Sequence, residues 1–408
     1  MGTSIFQAEN GKKYILPFII IACLFFLSGY TNALLDVLNK YFQEVLHISR
    51  SASGLVQFSL YSGYFLMAVP AGLFIHKYGY NKSLIFGLSI LIGGTLLFIP
   101  GAISQSYTLF LVALFVIACG FSFFEIIANP YATFLGNERA ATRRINLAQA
   151  FNGIGWIFGP LIGGLIIFDQ SNGAYNFNNL PIPFIILGVG ILLILIYIVR
   201  RPLPELHEIK GNGDLQTNAP SLVKPFYKYP HFILAVFAQF FYVAGQTGIN
   251  SFFINYVTET NHEISNKTAS VLLAFGGMGL FVSGRFAGSW MMKYVSGARL
   301  LSIFSIACMV LVALVISEIN IVSIAALCAV YFFMSIMYPT IFALGISGLD
   351  DQVKKASSYI VLGIVGGALC PLLMGKIADM SSMTIGFIVP LVCFFFVFLY
   401  AYKGSKIR

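Results

Sequence analysis

The chain has 408 residues, of which 58% are hydrophobic and only 10% are charged. A soluble globular domain carries roughly 25% charged residues, so this composition excludes a protein whose whole surface faces water. The formal net charge of +9 would suggest nucleic-acid binding if it formed one soluble patch. The basic residues are instead dispersed among short loops between apolar runs, which predicts a membrane protein that binds no nucleic acid.

The apolar runs predict an all-α membrane protein of twelve transmembrane helices. Each run can cross a hydrocarbon core of about 30 Å, and continuous runs, unlike ten-residue alternating strands, indicate helices. In chain order the predicted spans are 14–39, 53–76, 83–102, 106–134, 146–168, 181–200, 230–257, 268–292, 299–317, 320–347, 357–378 and 384–402. The first run resembles a signal peptide but is too long and lacks a cleavage site, so we predict that it is retained.

Basic residues predict the orientation of the spans. With the N-terminus inside, most of the 24 Lys and Arg residues fall on inner-side loops or tails, as the positive-inside rule requires. Residues 202–229 form the longest polar stretch and predict a cytoplasmic linker. The predicted domains are therefore an N-terminal six-helix bundle (1–201), the linker (202–229) and a C-terminal six-helix bundle (230–408), in a cell inner membrane with both termini cytoplasmic.

The two predicted bundles are related in sequence by a shift of 216 residues. The shift pairs Phe25 with Phe241, Gly29 with Gly245, Thr31 with Thr247, Asn39 with Asn255, Gly63 with Gly279 and Phe65 with Phe281. Parallel repeats of six helices resemble the plan of the major facilitator superfamily, in which substrate binds near the midplane between the halves. The loop from Gly72 to Lys82 is similar to a motif of that superfamily, except that His76 replaces the usual acidic residue. We expect a hydrogen-bonded gate at His76 in place of a salt bridge.

Two carboxylates lie well inside apolar runs: Asp36 in the first predicted span and Glu125 in the fourth. A charge at membrane depth is costly, so it normally faces a cavity or a partner and marks an ion pathway. A carboxyl group shielded from water binds and releases a proton nearer neutral pH, which coupling to a proton gradient requires. We predict that both residues couple transport to protons. The alternative for Asp36 is a merely wet position at the outer mouth of its span.

Polar side chains recur at helical spacing in five of the predicted spans. Amides and hydroxyls both donate and accept hydrogen bonds, which suits a polyhydroxylated solute; the alternative is hydrogen bonding between helices. The predicted substrate-binding residues are Asn32, Gln57, Tyr61, Asn129, Gln149, Asn152, Gln246 and Asn250. Arg285 is the lone cation inside a predicted span. It predicts an inner-gate group, unless its long stem extends to the cytoplasmic end of the helix.

Several stretches together resemble the fucose–proton symporter family of the major facilitators, and the resemblance runs along nearly the whole chain. These stretches are NALLD (32–36), EIIANPY (125–131), NLAQAFN (146–152), GRFAG (284–288) and YPTIFALG (338–345). The resemblance implies a proton-driven sugar importer in which Asp36 and Glu125 are the proton- and sugar-linked pair. Glucose/galactose members tend to carry glutamine where this chain has Glu125, so the resemblance favours L-fucose. Ala33 departs from the paired asparagines of the fucose permeases.

Other functions stay open at this stage. The substrate is a monosaccharide, and another hexose or an N-acetylhexosamine would fit the same mechanism. A drug exporter of the same fold and a non-transporting sugar sensor are the remaining alternatives. No nucleophile–base or metal spacing appears, and the six cysteines lie in apolar runs. We therefore expect no enzyme, cofactor, metal or disulfide, and we expect a monomer. The sequence leaves open the anomer, the stoichiometry and proton against sodium coupling.

Overall fold

The computed structural model describes residues 14–135, 141–171, 174–175, 177–204, 226–347, 349, 356, 359–360 and 362–406. The helices run in chain order as α1 (Ile15–Leu46), α2 (Arg50–Ser53), α3 (Leu55–Leu96), α4 (Phe98–Ser104), α5 (Tyr107–Phe134), α6 (Ala141–Ile167), α7 (Ile182–Arg200), α8 (Pro230–Thr260), α9 (Asn266–Leu272), α10 (Gly279–Met291), α11 (Gly297–Ile316), α12 (Asn320–Met334), α13 (Met337–Ile346), α14 (Gly366–Met380), α15 (Met383–Gly386) and α16 (Ile388–Tyr402). A short antiparallel hairpin pairs β1 (Gln170–Ser171) with β2 (Ala174–Tyr175).

Eleven helical stretches of the described chain are long and apolar enough to cross a membrane. One of them, Arg50–Ser104, has 55 residues, more than twice the ~20 that one span needs. Gly79 interrupts it with φ 80° and ψ 175°, a conformation that glycine adopts without the steric cost of a Cβ. The interruption divides the stretch into two spans, and the predicted fold of twelve transmembrane helices is confirmed.

The chain forms two compact units. Unit 1 contains residues 1–34 and 62–220, and unit 2 contains residues 35–61 and 221–408. Helices α1 and α3 therefore each contribute to both units, and the outer ends predicted for the first two spans belong to unit 2. The division at 201 and 230 that the sequence predicts stays a prediction, and most of the predicted linker lies outside the described residues.

Within unit 1, small residues bring α1 and α6 into backbone contact. A Cβ placed on Gly155 of α6 would lie 2.1 Å from the Phe26 carbonyl oxygen of α1, and one on Gly29 would lie 2.1 Å from the Asn152 carbonyl oxygen. Glycine is the residue type that allows such an approach between membrane helices. These contacts fix α6, and with it the polar side chains of its first half, against α1.

In unit 1, Asn81 of the motif at residues 72–82 binds the segment that follows α7. The Asn81 side chain accepts a hydrogen bond from the Leu203 amide at 3.0 Å and donates one to the Leu203 carbonyl. The Tyr131 hydroxyl of α5 donates to the carbonyl of Pro204. An asparagine that satisfies both backbone groups of one residue replaces a strand partner, so the segment after α7 is held on a fixed path within unit 1 up to residue 204.

Within unit 2, the first residues after α1 pack tightly on α14. A Cβ on Gly375 would lie 2.6 Å from the Arg50 carbonyl oxygen, and a Cβ on Gly54 would lie 2.9 Å from the Pro371 carbonyl carbon. A further break lies between α12 and α13, where Ser335 and Ile336 separate the two helices. The break frees backbone carbonyls near the middle of a single predicted span, and one of them belongs to the candidate site described below.

Candidate transport site

Glu125 is the predicted proton-coupling carboxylate in unit 1. It projects from α5 between the buried residues Phe124 and Ile127, yet it is itself exposed. The hydroxyl of Ser28 on α1 donates a hydrogen bond to Glu125 Oε1 at 3.5 Å. Because exposure of a carboxylate to lipid is costly, the face of α5 that carries Glu125 is best explained as the lining of a water-accessible space. A carboxyl group in that position can exchange protons with water.

The predicted amides of unit 1 bind the backbone of α1 through their nitrogens. Asn32 Nδ2 donates to the Ser28 carbonyl at 2.9 Å, and Asn152 Nδ2 donates to the Phe25 carbonyl at 3.0 Å. Both residues are half-buried, as is Gln149 one turn earlier on α6. Asn32 and Asn152 thus contact the backbone of α1 within about one turn of Ser28, the residue that contacts Glu125. Asn129 lies on α5, but its side chain falls outside the described residues.

Asp36 is the predicted proton-coupling carboxylate in unit 2, and its surroundings differ from those of Glu125. The side chain is 2% exposed, and Gln57 Nε2 donates a hydrogen bond to Asp36 Oδ1 at 3.1 Å. Gln57 is itself buried at 3% exposure, so its amide is engaged with the carboxyl group. The sequence placed both residues in one candidate site, and the structure adds that they contact each other.

The remaining predicted residues of unit 2 lie on α3 and α8. The Tyr61 hydroxyl is 3.2 Å from the Thr247 hydroxyl, with which it shares a hydrogen bond. Gln246 is half-buried and Asn250 is buried. Asn250 Oδ1 has no hydrogen-bond partner among the described residues, and such a buried acceptor is available for a hydroxyl donor. These side chains form a polar stretch of α8 next to Tyr61.

The two predicted gating residues lie in different settings. Arg285 on α10 is half-buried, and its Nε donates to the Ser335 carbonyl at 3.4 Å, at the break between α12 and α13. Its guanidinium carbon lies 4.9 Å from the ring centre of Phe281, within cation–π range. His76 is exposed on α3, three residues before the break at Gly79.

Several contact residues were not predicted from the sequence. Ser28 carries a weak signal, because it lies one helical turn before Asn32 and therefore on the same face. Thr247 also carries one, since the repeat pairs it with Thr31. Ser335 gives no signal, because it acts through a backbone carbonyl that a helix break exposes.

Comparison with known proteins identifies the family to which the chain belongs. The sequence model described as the Major Facilitator Superfamily matches residues 21–363. The chain is 33% identical to the L-fucose-proton symporter of Escherichia coli over 421 residues, covering 98% of this chain and 95% of that protein. It is 30% identical to the glucose/galactose transporter of Brucella abortus over 409 residues, covering 98% and 97% of the two chains.

Solved structures agree with the sequence comparison. A crystal structure of the major facilitator transporter FucP in the outward conformation is 33% identical and covers 96% of this chain and 99% of its own, with a TM-score of 0.69. A D-xylose-proton symporter is only 14% identical but has a TM-score of 0.73 over 96% of this chain, which shows the shared fold alone. On these grounds the chain belongs to the Major Facilitator Superfamily, in the group that contains the L-fucose-proton symporters.

Proposed function

We propose that this protein is a proton-coupled symporter that imports a monosaccharide by alternating access, and that this monosaccharide is L-fucose. The observation that carries the proposal is the Glu125 carboxylate, exposed in the middle of a membrane helix and hydrogen-bonded by Ser28. The chain that carries Glu125 is 33% identical to an L-fucose-proton symporter along nearly its full length. A carboxylate at that depth is energetically costly. Exchange of a coupling proton explains why the protein has one there.

The coupling follows from charge. Protonation of Glu125 and Asp36 removes two negative charges from the membrane interior, which lowers the cost of rearranging the helices that carry them. Proton and sugar must then favour each other's binding reciprocally. The half-buried amides Asn152 and Gln149 of unit 1 supply hydrogen-bonding groups for the sugar hydroxyls. The protein works as a monomer in the cell inner membrane, with both termini in the cytoplasm.

The substrate could be L-fucose or glucose/galactose, since relatives named for each of these sugars match at similar identity. The presence of an acid at position 125, where glucose/galactose members tend to carry glutamine, supports L-fucose. A glucose/galactose or N-acetylhexosamine substrate is the alternative under the same mechanism. A drug exporter fits less well, because the amides of α6 and α8 suit a polyhydroxylated solute.

Uptake into proteoliposomes tests the proposal. Purified protein is given labelled L-fucose, D-glucose, D-galactose or N-acetylglucosamine with an imposed pH gradient, an imposed sodium gradient or none. We expect concentrative uptake of L-fucose with the pH gradient only. Glu125→Gln and Asp36→Asn should abolish concentrative uptake, and exchange should persist where only the proton step is lost. Glu263→Gln, at an exposed loop residue, is the matched control. Full concentrative uptake by both site variants, or drive by sodium alone, would refute proton coupling at these residues.

A further inference from the structure

The break between α12 and α13 leaves backbone carbonyls that need donors from elsewhere. In a continuous helix each carbonyl accepts a hydrogen bond from the amide four residues later, so the Ser335 carbonyl would require the amide of residue 339. That residue is Pro339, which has no N–H. Met334 is the last residue of α12, and the last carbonyls of a helix have no partner within it. Both carbonyls are therefore available to donors from other helices.

Side chains of two other helices supply these donors. The Tyr242 hydroxyl of α8 donates to the Met334 carbonyl at 3.0 Å, and Arg285 Nε of α10 donates to the Ser335 carbonyl at 3.4 Å. Tyr242 is 0% exposed, so water does not compete for its hydroxyl. A cation beside the C-terminal end of a helix is also favoured by the helix dipole. Two consecutive carbonyls at the end of α12 are thus bound by α8 and by α10.

Helix α10 lies directly against the break. A Cβ placed on Gly284 would lie 2.3 Å from the Phe332 carbonyl oxygen, and one placed on Gly288 would lie 2.3 Å from Ile336 Cγ2. Glycine is the residue type that allows membrane helices to approach each other this closely. The packing of α10 therefore holds its arginine at the break.

Tyr242 contacts the chain on both sides of the break. Its hydroxyl binds Met334 at the end of α12, and its ring centre lies 6.3 Å from that of Tyr338 in the first turn of α13, at an interplanar angle of 65°. An edge-to-face pair tolerates a range of ring separations, whereas a hydrogen bond weakens steeply when its angle changes. Tyr242 therefore holds the end of α12 more strictly than it holds α13.

Proline alone does not produce such a break. Pro160 and Pro371 lie inside helices α6 and α14, which continue past them, as membrane helices commonly tolerate. At Pro339 the helix stops, and donors from two neighbouring helices bind the carbonyls at its end. A hinge in a membrane helix requires this combination, because the backbone groups must stay satisfied while one half moves.

We propose that Tyr242 is a second positioning residue of the gate predicted at Arg285: together they satisfy the carbonyl end of α12, so that α13 can change its angle at Ser335 and Ile336 in each transport cycle. The inference rests on the proposed alternating access and extends it. Because the two donors belong to α8 and α10, movement of α13 breaks neither hydrogen bond. Without the Tyr242 hydroxyl the carbonyl of α12 loses its donor, and α13 loses the fixed partner against which it turns.

The kinetics of sugar uptake by Tyr242→Phe in proteoliposomes test the proposal. The variant keeps the ring and its contact with Tyr338 and removes only the hydroxyl. The maximal rate should fall about tenfold, the effect of leaving a buried carbonyl without its donor, while the KM for the sugar stays the same. A raised KM at an unchanged maximal rate would show that the hydroxyl binds sugar, and it would overturn the proposal.

Tyr256→Phe is the matched control for this variant. Tyr256 is also a buried tyrosine of α8, and its hydroxyl donates to the Val315 carbonyl near the end of α11 at 2.7 Å. The control therefore removes the same kind of hydrogen bond away from the break. It should take up sugar at the wild-type rate; a loss equal to that of Tyr242→Phe would refute a special role for the break.

Hydrogen–deuterium exchange of the purified protein locates the effect without any substrate. Peptides that cover residues 335–346 should exchange faster in Tyr242→Phe than in the wild type, whereas Tyr256→Phe should leave them unchanged. Equal exchange of these peptides in the wild type and in Tyr242→Phe would overturn the proposal.

Pro339→Ala tests the hinge in the opposite direction and replaces Tyr242→Phe if that variant does not fold. The substitution supplies an amide that can bind the Ser335 carbonyl and continue α12 into α13. Exchange across 335–346 should slow, and the maximal rate should fall without a loss of thermal midpoint. Wild-type exchange and uptake in this variant would overturn the hinge. Wild-type protein that takes up none of the sugars would instead overturn the proposed function, while faster exchange in Tyr242→Phe would still support the role of Tyr242 at the break.

Discussion

Gln43 and Asn255 bind each other through both of their side-chain amides. Asn255 Nδ2 donates to Gln43 Oε1 at 2.5 Å, and Gln43 Nε2 is 3.4 Å from Asn255 Oδ1. The same Gln43 nitrogen also donates to Asn39 Oδ1 at 2.8 Å. Asn39 and Asn255 are the two asparagines that the 216-residue repeat pairs. One glutamine therefore bridges equivalent positions of the two halves of the sequence within unit 2.

An ionic contact next to this amide pair gives a first prediction. Asp379 accepts hydrogen bonds from the backbone amides of Arg50 at 2.9 Å and Ser51 at 2.8 Å, while the Arg50 guanidinium pairs with Glu259. The pair with Glu259 is partly exposed on both sides, and such pairs contribute about 0.2–1 kcal/mol. Asp379→Ala removes the carboxylate acceptor of two exposed backbone amides at the start of α2, and the loss of such an acceptor costs about 0.5–2 kcal/mol. We expect Asp379→Ala to lower the thermal midpoint of the purified protein more than Glu259→Ala.

Glu263→Ala is the control for this comparison. Its side chain lies at an exposed loop position, so the substitution should change the midpoint least. A larger loss in Glu259→Ala than in Asp379→Ala would show that the ion pair, and not the carboxylate at the backbone amides, holds α2 against α14.

The glycine contacts of unit 1 give a second prediction. A Cβ at Gly155 would lie 2.1 Å from the Phe26 carbonyl oxygen, a backbone atom that cannot rotate away, whereas a Cβ at Gly93 would have no neighbour within 4 Å. Overpacking costs about 1–3 kcal/mol. Gly155→Ala should therefore lower the thermal midpoint and the yield of folded protein, and Gly93→Ala should leave both unchanged. Equal midpoints for the two variants would mean that α1 and α6 separate without cost.

The sequence predicts the spans well because continuous apolar runs are imposed by the bilayer. It does not predict the unit to which Asp36 belongs. The repeat and the span limits place Asp36 with Glu125 in the first six-helix half, whereas contacts group residues 35–61 with the C-terminal half. That grouping depends on tertiary contacts of the C-terminal end of α1 and the N-terminal end of α3, which local composition does not encode.

The candidate site shows the same limit at the level of single side chains. Helical spacing identified Gln57 as a polar residue at membrane depth, but spacing cannot distinguish an amide that binds sugar from one that binds Asp36. The break between α12 and α13 was likewise hidden, since its residues are as apolar as the rest of the span. Apolar periodicity records which residues avoid water, and it does not record which polar groups pair with each other.

The hydrogen bond to Glu125 gives a third prediction. Ser28 donates to Glu125 Oε1 at 3.5 Å, a long hydrogen bond that favours the ionised carboxylate modestly. Ser28→Ala should therefore make protonation of Glu125 easier, and the half-maximal pH of uptake should move upward by less than about one unit. Ser283→Ala is the matched control, because that exposed hydroxyl donates to a carbonyl of its own helix. A downward movement in Ser28→Ala would contradict this role of the hydroxyl.

Arg285 gives the last prediction, which separates its two interpretations. A guanidinium that only extends toward the cytoplasmic end of α10 is replaceable by lysine, which has a long stem and the same charge. A guanidinium that donates from Nε to the Ser335 carbonyl and lies over Phe281 is not, because lysine lacks the planar donor group and stacks poorly. We expect Arg285→Lys to lower the rate of uptake at least about tenfold, the equivalent of ~1.4 kcal/mol, with little change in the thermal midpoint. Arg299→Lys, at an exposed position of α11, should transport normally. Normal transport by Arg285→Lys would instead assign the arginine to anchoring α10, and the gate would then have to be sought at the backbone break beside Ser335.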